Sequence, residues 1–351
     1  MVRIEEYTTG FVGGGASSSD KKIGVVGLTM FDLRRRGKVG KLSMVGTSVV
    51  KYPAIREHLT KNITEVYNDL DTSFESYPAS DTTDPNAYKA AIDALAPGSA
   101  ITIFTPDTTH YPITLYAIER KIHVLITKPA VKTLAHHQAL LTAAERHGVF
   151  VYVEHHKRYD PAYADARYQA AHLGDFNYFY SYMSQPKSVN SDISYYLNSH
   201  HIDICDSMFS YKGCSPVKVS ASAGKGIAIE LGCDPCTEDT TTVMVTWQHR
   251  DDPSKLATRV NVADDSSALG LMWFNPFYMK YAPDEGGNFA GQGGYRYVSF
   301  EKFIDGCKLS NELGKEGLNR LNKRGLPTLS NTLATTAILE AGRRALDEGR
   351  G

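Results

Sequence analysis

The sequence has little net charge, no long apolar run and few cysteines. Its 351 residues include 38 Lys and Arg and 39 Asp and Glu, which gives a formal net charge of −1. This balance lacks the basic footprint expected of a surface that binds nucleic acid or anionic membrane. No apolar stretch is long enough to span a bilayer, and residues 1–20 lack the apolar core of a secretory signal. We therefore expect a cytoplasmic protein that binds neither nucleic acid nor membrane.

Five cysteines, an odd number scattered through a long chain, indicate reduced thiols. Cys233 and Cys236 form one Cys-x-x-Cys pair, but no second pair accompanies it, and His249 lies at the wrong spacing for a zinc finger. Two reduced thiols in a loop explain the pair better than a metal site does. We expect no bound metal.

The first half of the chain alternates short apolar runs with segments of helical periodicity. Apolar runs of this length are typical of strands buried on both faces, and strands separated by helices indicate parallel βαβ units. Gly148 and Thr133 are favourable residues for the end and the N-cap of one of these helices. The pattern predicts strands over Lys41–Ser48, Ala100–Pro106, His123–Pro129 and Val149–His155, and helices over His110–Arg120 and Thr133–Gly148.

After residue 156 the periodicity changes from helical to alternating. Asp160 and Pro161 are typical of the first two positions of a helix, and Gly174 would close it. Period-two patterns with short connections then predict a half-buried, largely antiparallel sheet. These patterns cover Asp175–Gln185, Pro216–Ala223 and Thr240–His249, and an amphipathic helix follows over Leu333–Glu348.

Together these patterns predict an α/β protein with two domains. Residues 1–156 would form a doubly wound parallel sheet, and residues 157–351 an α/β domain with a largely antiparallel sheet. One face of the first alternating segment carries Phe176, Tyr178, Tyr180 and Tyr182, which we interpret as packing within the sheet. Ligands of open α/β sheets bind beyond the carboxyl ends of the strands, which places Thr105, Lys128 and residues 154–158 around one crevice.

Two blocks of residues carry a family resemblance. The first spans residues 105–163 and the second is His200-His201-Ile202-Asp203. Both blocks resemble the glucose–fructose oxidoreductase/inositol dehydrogenase (Gfo/Idh/MocA) family, and residues 6–17, 31–46 and 154–163 are similar to its fungal D-galacturonate reductases. In the first block the matching positions are Thr105, Pro106, His110, His123, Lys128, Pro129, Arg158, Tyr159 and Pro161.

The resemblance implies a Rossmann-fold oxidoreductase that moves hydride to or from a sugar or sugar acid with NAD(P)H. The specific activity it favours is the reduction of D-galacturonate to L-galactonate. Lys128 would stabilise negative charge on the sugar oxygen, and His200 would act as the general acid. His201 points about 100° away from His200 around the helix and would pack instead. The expected substrate residues are Arg158, Tyr159, Tyr196, Asn198 and His200.

Two alternatives exist for the loop that binds the pyrophosphate. One takes Ile23–Phe31 as the first strand, with Gly27 at its end. The other, which we favour, takes Glu6–Gly10 as the loop, so that Tyr7, Thr8 and Thr9 would meet the pyrophosphate at the start of the following helix.

Cofactor choice depends on the end of the strand Lys41–Ser48. NAD-selective sites usually place an acidic residue there, and this stretch has none. Ser48 and Lys51 would instead hold a 2′-phosphate, so NADPH is the expected cofactor and NADH the alternative. By resemblance, Thr105, Pro106, His110 and Lys128 complete the nucleotide site.

Three cations near the strand ends, Lys157, Arg158 and Lys187, favour a substrate that carries a carboxylate. Family members associate through the broad face of their second sheet. By resemblance we therefore expect a homo-oligomer, either a dimer or a tetramer.

Several positions depart from the family pattern. Where the family has Gly-x-Gly before Glu6, this chain has Arg3, Ile4 and Glu5, so the first strand is expected to be truncated. Thr127 replaces a glutamate and Tyr196 replaces an aspartate. The segments 187–190 and 261–272 are short. These differences favour an alternative function, a catalytically impaired dinucleotide-binding or regulatory protein of the same fold.

Overall fold

A computed structural model describes residues 4–17, 23–79, 82–175, 177–184, 192–230, 232–233, 235, 237–264, 280–283 and 289–349. Its helices are α1 Ile4–Thr9, α2 Val26–Arg35, α3 Tyr52–Leu59, α4 Ala87–Asp93, α5 Asp107–Glu119, α6 Leu134–His147, α7 Pro161–His172, α8 Ile193–Tyr196, α9 Asn198–Tyr211, α10 Ile227–Glu230, α11 Tyr295–Leu313, α12 Lys315–Lys323 and α13 Leu333–Asp347. A π-helix covers Thr60–Thr64, and 3-10 turns cover His156–Tyr159 and Ser330–Thr332.

The strands are β1 Phe11–Val12, β2 Gly15–Ala16, β3 Ser43–Val45, β4 Glu75–Tyr77, β5 Ala100–Ile103, β6 His123–Thr127, β7 Val151–Glu154, β8 Tyr178–Ser184, β9 Cys214–Gly224, β10 Thr240–His249, β11 Leu256–Asp264, β12 Lys280–Pro283 and β13 Phe289–Gly293. Strands β1–β2 and β12–β13 form two small antiparallel hairpins.

Parallel strands β5, β6 and β7 form the sheet that positions the site, and helices cover both of its faces. On one face, buried residues of β6 and β7 pack with α5 and α6, including Leu140 and Ala144. On the other face, Phe150 and Tyr152 pack with Phe300 of α11 and with α2 and α12. This arrangement confirms the predicted doubly wound architecture.

Helix α2 joins this sheet to a second parallel pair, β3–β4. Val26 and Leu33 face the core of the larger sheet, whereas Leu28 and Phe31 belong to the core around α3. The alternative that made Ile23–Phe31 a strand is wrong, because most of that segment lies in α2 and has apolar neighbours on both sides. The strand predicted over Lys41–Ser48 is shorter, since only Ser43–Val45 pairs with β4.

The second sheet has the order β8-β11-β10-β9 and is antiparallel except for the pair β8–β11. One face of β10 is buried against α9 and α13, as the alternation predicted, and it carries Thr241, Val243, Val245 and Trp247. The tyrosines of β8 are not buried: Tyr178, Tyr180 and Tyr182 are 56%, 55% and 54% exposed among the described residues. We interpreted the aromatic residues of this segment as packing within the sheet, and this interpretation is corrected for Tyr178, Tyr180 and Tyr182. Phe176 lies outside the described residues.

Local capping signals agree with the structure. Thr133 accepts a hydrogen bond from the His136 amide at the start of α6, and Gly148 ends that helix with φ of 67°. Asp160 caps α7 through the Ala162 amide, and Pro161 is the first helical residue. These side chains act within four residues of their partners, so the sequence alone can specify them.

The boundary proposed at residue 156 falls in the turn His156–Tyr159, directly after β7. Helix α11 lies beyond that boundary in the chain but packs against β7 through Phe300 and Phe303. Helix α13 packs instead on β9 and α9. No helix in the described part of the chain is long and apolar enough to cross a membrane.

We predict opposite effects for alanine at two helical glycines. A Cβ atom at Gly306 would lie 2.5 Å from Cε1 of Phe150, a ring that is 1% exposed. Overpacking there should lower the free energy of unfolding of Gly306→Ala by about 1–3 kcal/mol. At Gly342 the nearest atom would be a Val243 methyl group at 3.7 Å, so Gly342→Ala should gain up to about 1 kcal/mol from helix propensity. Urea unfolding of both variants checks the signs, and a stabilised Gly306→Ala would contradict this packing.

Candidate active site

Lys128 lies immediately after β6, and its side chain extends to Tyr196, at the end of α8. Its Nζ atom donates a hydrogen bond to the backbone carbonyl of Tyr196, at 2.5 Å, and lies 3.8 Å from the centroid of the Tyr196 ring. Tyr196 ends α8, and α9 with His200 begins two residues later. The carboxyl end of β6 therefore lies close to the start of α9.

Burial governs the charge of Lys128. Loss of water around the ammonium group lowers its pKa to about 7, although the carboxylates of Asp107 and Glu154 oppose the shift. The nearby cations Arg296 and Lys157 add to the lowering. A lysine with this pKa exchanges its proton near neutral pH, which an exposed lysine does not do.

His200 is buried at 8% exposure, and its Nδ1 atom has no hydrogen-bond partner among the described residues. Burial lowers the pKa of this imidazole well below its ordinary value, and the charge of Lys128 lowers it further. His201 turns the other way, and its Nδ1 atom lies 2.8 Å from the hydroxyl oxygen of Ser181 on β8. At neutral pH the ring of His200 is therefore neutral, with one nitrogen that a bound polar group would satisfy.

The guanidinium group of Arg158 is not free to bind a ligand beside Lys128. Its Nε and Nη2 atoms donate to the two carboxylate oxygens of Asp203 at 2.7 and 2.6 Å. Its remaining bonds go to the backbone carbonyls of Gly325 and Asn331. The structure thus gives Arg158 a structural partner in place of the substrate contact expected from the sequence.

Two other expected substrate residues also bond within the protein. The hydroxyl of Tyr159 accepts from that of Tyr152 at 3.1 Å, and Tyr159 lines a cavity of about 430 Å³ that it shares with α11 and α12. Asn198 donates from Nδ2 to Thr241 of β10 at 2.9 Å. Of the expected substrate residues, Tyr196 and His200 are the two that lie beside Lys128.

The segment expected to form the nucleotide loop lies against the start of α2. The Val25 amide donates to the carbonyl of Tyr7 at 2.8 Å, and a Cβ atom at Gly24 or Gly27 would lie 2.6 Å from the Thr8 carbonyl oxygen. Thr9 is buried, and its hydroxyl oxygen accepts from the Phe11 amide. Ile4–Thr9 is helical, which differs from the strand and loop that the resemblance implied.

Other expected nucleotide residues occupy strand ends. Ser48 lies beyond β3 and accepts from the Val50 amide, and Lys51 is the N-cap residue of α3. Thr105 is partly exposed beyond β5, and Pro106 precedes α5. His110 is buried between the carbonyl groups of Thr105 and Pro129, at 2.8 and 2.9 Å, so it links the ends of β5 and β6.

The described residues offer polar contacts at two points, one at the start of α2 and one beside Lys128. Helix α2 begins without a side-chain cap, so the amides of its first turn can meet a pyrophosphate group. At the other end, Lys128 and the unsatisfied Nδ1 atom of His200 offer polar contacts to a carbonyl substrate. Tyr7 connects the two points, because its hydroxyl lies 3.4 Å from that of Tyr196.

The sequence placed Glu154 and His156 near the strand ends with Lys128 but gave neither residue a role, and it did not identify Arg296. Glu154 ends β7 and is 1% exposed, and its Oε2 atom lies 2.7 Å from Nδ1 of His156. Arg296 of α11 places its guanidinium carbon 4.8 Å from the centroid of the Tyr7 ring. The only sequence signal was a charged residue at the end of an apolar strand, and Arg296 lies too far along the chain for any local pattern to connect it.

Some expectations fall outside what the structure describes. Lys187 and Cys236 belong to undescribed segments. Within the described residues no group of three or more His, Cys, Asp or Glu side chains is arranged to hold a metal ion. The four described cysteines, Cys205, Cys214, Cys233 and Cys307, form no disulfide with one another.

We predict that Lys128 is reactive near neutral pH. Reductive methylation with formaldehyde requires the free amine, so the labelling rate of Lys128 in the nucleotide-free protein should reach half its maximum near pH 7. Lys41 is the control, because a hydrogen bond from its ammonium group to Glu75 raises the pKa of Lys41. Residue-resolved mass spectrometry across pH 5–11 checks the difference, and equal midpoints for the two lysines would contradict the burial argument.

Residues 21–155 match the family model described as an oxidoreductase family with an NAD-binding Rossmann fold, the Gfo/Idh/MocA family. No curated protein sequence matches the chain. Solved structures share its fold at low identity. An oxidoreductase from Pseudomonas syringae has a TM-score of 0.66 and 14% identity, over 96% of this chain and 95% of its own.

Two further structures are similar to this chain over most of both lengths. The myo-inositol 2-dehydrogenase of Lactobacillus plantarum has a TM-score of 0.59 and 16% identity, over 93% of this chain and 94% of its own. An inositol dehydrogenase homolog from Azotobacter vinelandii, complexed with NADH and myo-inositol, has a TM-score of 0.60 and 14% identity, over 89% and 97%. At these identities the likeness extends to the fold. The family match is independent of that likeness, and it covers residues 21–155, which are similar to the NAD-binding Rossmann domain of the Gfo/Idh/MocA oxidoreductases.

Proposed function

We propose that this protein reduces the carbonyl group of a sugar acid with NADPH, and that D-galacturonate, reduced to L-galactonate, is its substrate. One observation carries the proposal. Lys128 reaches from the end of β6 to the Tyr196 carbonyl beside α9, so a lysine with a pKa of about 7 lies close enough to the buried His200 for its charge to act on that ring. Two such groups at the end of a parallel sheet are what carbonyl reduction requires of a protein.

Lys128 and His200 have different roles at the carbonyl oxygen of the substrate. Bound NADPH supplies the hydride. The ammonium group of Lys128 donates a hydrogen bond to the oxygen and stabilises the negative charge that develops there. His200, whose Nδ1 atom has no described hydrogen-bond partner, acts as the general acid that gives the proton to this oxygen.

A sugar acid is favoured over a neutral sugar by Lys157. This side chain is largely removed from water, and burial is the main cause that lowers its pKa. The carboxylate of Asp160 opposes this lowering, and the Nζ atom of Lys157 lies 5.6 Å from the Tyr163 ring centroid. A substrate carboxylate would bring a second negative charge to Lys157, in place of Arg158, whose charge is already matched by Asp203.

A catalytically impaired binding protein is the second candidate. It is favoured by α1, which holds residues 4–9 as a helix with the Thr8 carbonyl close to the start of α2. A carbonyl oxygen there faces the place that a pyrophosphate would occupy, and two groups of negative charge repel each other. If this arrangement persists, the protein binds nucleotide weakly and turns over slowly.

Nucleotide binding separates the two candidates. We expect NADPH to bind more tightly than NADH, because Lys51 would pair with the 2′-phosphate, and Lys51→Ala should remove that preference with little effect on NADH. Titration of the purified protein, followed by nicotinamide fluorescence, measures both affinities. No binding of either nucleotide would eliminate the enzyme proposal.

Three variants test the catalytic assignment. Lys128→Ala should lower the rate of D-galacturonate reduction about a hundredfold, because about 3 kcal/mol of transition-state stabilisation is lost. His200→Ala should cause a similar loss. His201→Ala is the matched control and should change the rate little, since its ring faces Ser181. If His201→Ala abolished NADPH oxidation and His200→Ala kept it, the assignment would be wrong by one residue.

We also propose that the open face of the second sheet pairs with its copy in a homo-oligomer. Tyr180 of β8 shares a row of the sheet with Met244 of β10, through Val260 of β11. Met244 is 43% exposed and Tyr180 55%, so this row leaves apolar surface open to solvent. Large exposed apolar patches commonly mark protein interfaces.

Charge on this face should therefore reduce association. Tyr180→Glu is expected to shift the protein toward the monomer, because pairing the face would bury an unpaired carboxylate. Tyr211→Glu, at the exposed end of α9, is the control and should leave the mass unchanged. Light scattering at micromolar concentration measures the masses, and a monomeric unmodified protein would contradict the proposal.

A further inference from the structure

Helices α7, α11 and α12 enclose a cavity of about 430 Å³ together with the turn that follows β7. Helix α11 lines it with one face, from Lys302 to Glu312, and the end of α12 completes the wall. Cavities of this volume hold small molecules. Among the described residues, Lys128, Tyr196 and His200 do not line it, so this cavity is separate from the candidate active site.

The charge that lines this cavity is mostly positive. Its five cations are Arg158, Arg167, Lys302, Lys308 and Arg324. Two carboxylates face them, those of Asp305 and Glu312. Asp305 is shared with a cation outside the cavity, because one of its oxygens lies 3.7 Å from Nζ of Lys38. The cavity therefore carries more positive charge than its own acidic residues can match.

The pairing of each cation shows where the excess charge lies. Arg158 donates to both carboxylate oxygens of Asp203, at 2.7 and 2.6 Å, so its charge is already matched. The other cations differ from it. No ion pair with a described residue is formed by Arg167, Lys302, Lys308 or Arg324. Four unpaired cations against two carboxylates leave a surplus of at least two positive charges.

Arg167 on α7 shows most clearly that a counter-charge is missing. Its side chain is half-buried, and its Nη2 atom donates to the backbone carbonyl of Arg158 at 3.5 Å. Burial lowers the pKa of Arg167, and the neighbouring charge of Arg158 lowers it further. A guanidinium group that is partly removed from water is unfavourable unless an anion or several acceptors reach it. Arg167 is therefore placed to bind an anion in the cavity.

We propose that this cavity is a binding site for a phosphate group, either free or as the ester of a small molecule, and that Arg167 and Arg324 are its main ligands. A phosphate ester carries about −1.5 to −2 charges at neutral pH, which matches the surplus of two positive charges. Guanidinium groups present paired donors that suit phosphate oxygens. The inference goes beyond the proposed function, because no step of sugar reduction uses this cavity.

Apolar side chains favour an ester over free phosphate. Leu309, Leu321 and Leu326 also line the cavity, and Leu321 and Leu326 are 2% and 9% exposed. The carbon skeleton of an ester would remove apolar surface of these residues from water, whereas free phosphate would not. We therefore expect a small phosphate ester to bind more tightly than inorganic phosphate.

Calorimetric titration tests the site without any sugar reduction. The probes are glycerol 3-phosphate, inorganic phosphate and, as the neutral control, glycerol, each titrated into the full chain in a chloride buffer. We expect saturable binding of both phosphate probes and no measurable binding of glycerol. Equal affinities of the two phosphate probes would identify free phosphate as sufficient. NADPH should leave both affinities unchanged, because the residues expected to hold the nucleotide do not line this cavity.

Variants of the lining cations locate the binding. Arg167→Gln and Arg324→Gln should each weaken the binding of glycerol 3-phosphate about tenfold, because each removes a charge-assisted hydrogen bond. Lys302→Gln, at an exposed position of α11, should weaken it by a smaller factor and guards against a result caused by misfolding. Arg320→Gln is the matched control and should change the affinity little. Arg320 lies on the same helix as Arg324, does not line the cavity and pairs with Glu316 at 2.9 Å.

Lysine labelling gives a second measurement of where the probe binds. Glycerol 3-phosphate should slow the acetylation of Lys302 and Lys308, measured by mass spectrometry of the unmodified sequence. Lys315 is the control, because it is exposed at the start of α12 and does not line the cavity. Its labelling rate should not change.

Three results would overturn the inference. The first is the lack of saturable binding of either phosphate probe at millimolar concentrations. The second is an affinity that Arg167→Gln and Arg324→Gln leave unchanged, or that Arg320→Gln lowers equally. The third is displacement of the probe by NADPH, which would place it in the nucleotide site. None of these results depends on turnover, so they are distinguishable from failure of the proposed function.

Discussion

The buried ion pair between Arg158 and Asp203 is the constraint on which the site depends. Both side chains are almost completely removed from water, at 3% and 2% exposure. Charges this deeply buried are unfavourable when apart, so neither residue can move far from the other. Arg158 follows β7, and Asp203 lies on α9 one turn after His200. The pair therefore fixes α9 against the ends of the parallel strands, and with it the distance between His200 and Lys128.

Several cations lie around Glu154. His156 and Arg296 lower the pKa of this carboxyl group, and Lys128 interacts with it and with Asp107, while the charge of Asp203 is already matched by Arg158. These carboxylates do not offset burial, which leaves His200 neutral and lowers the pKa of Lys128 to about 7. General acid–base catalysis requires groups whose pKa lies near the working pH. Because Arg158 already matches the charge of Asp203, that carboxylate does little to stabilise a charge on Lys128 or His200.

Features that depend on neighbours in sequence could be predicted, and those that depend on distant partners could not. The caps at Thr133 and Asp160 and the buried face of β10 follow from local geometry and periodicity. The sequence also placed Lys128 at a strand end and His200 on a helix. By contrast, the role of Arg158 requires knowledge of Asp203, 45 residues away. A pattern of alternating tyrosines also cannot distinguish a face that packs inside the chain from one that stays open.

Helix α2 shows why the first segment was hardest to interpret. Its residues from Val26 to Phe31 are apolar enough to read as a buried strand, but they serve two cores at once. A strand has two opposite faces, and a helix between two sheets can also bury two sides, so composition alone does not separate them. Asp32 on the same helix bonds to the Tyr297 hydroxyl of α11, which ties α2 to the larger sheet. Packing and this bond therefore fix α2 between the two cores.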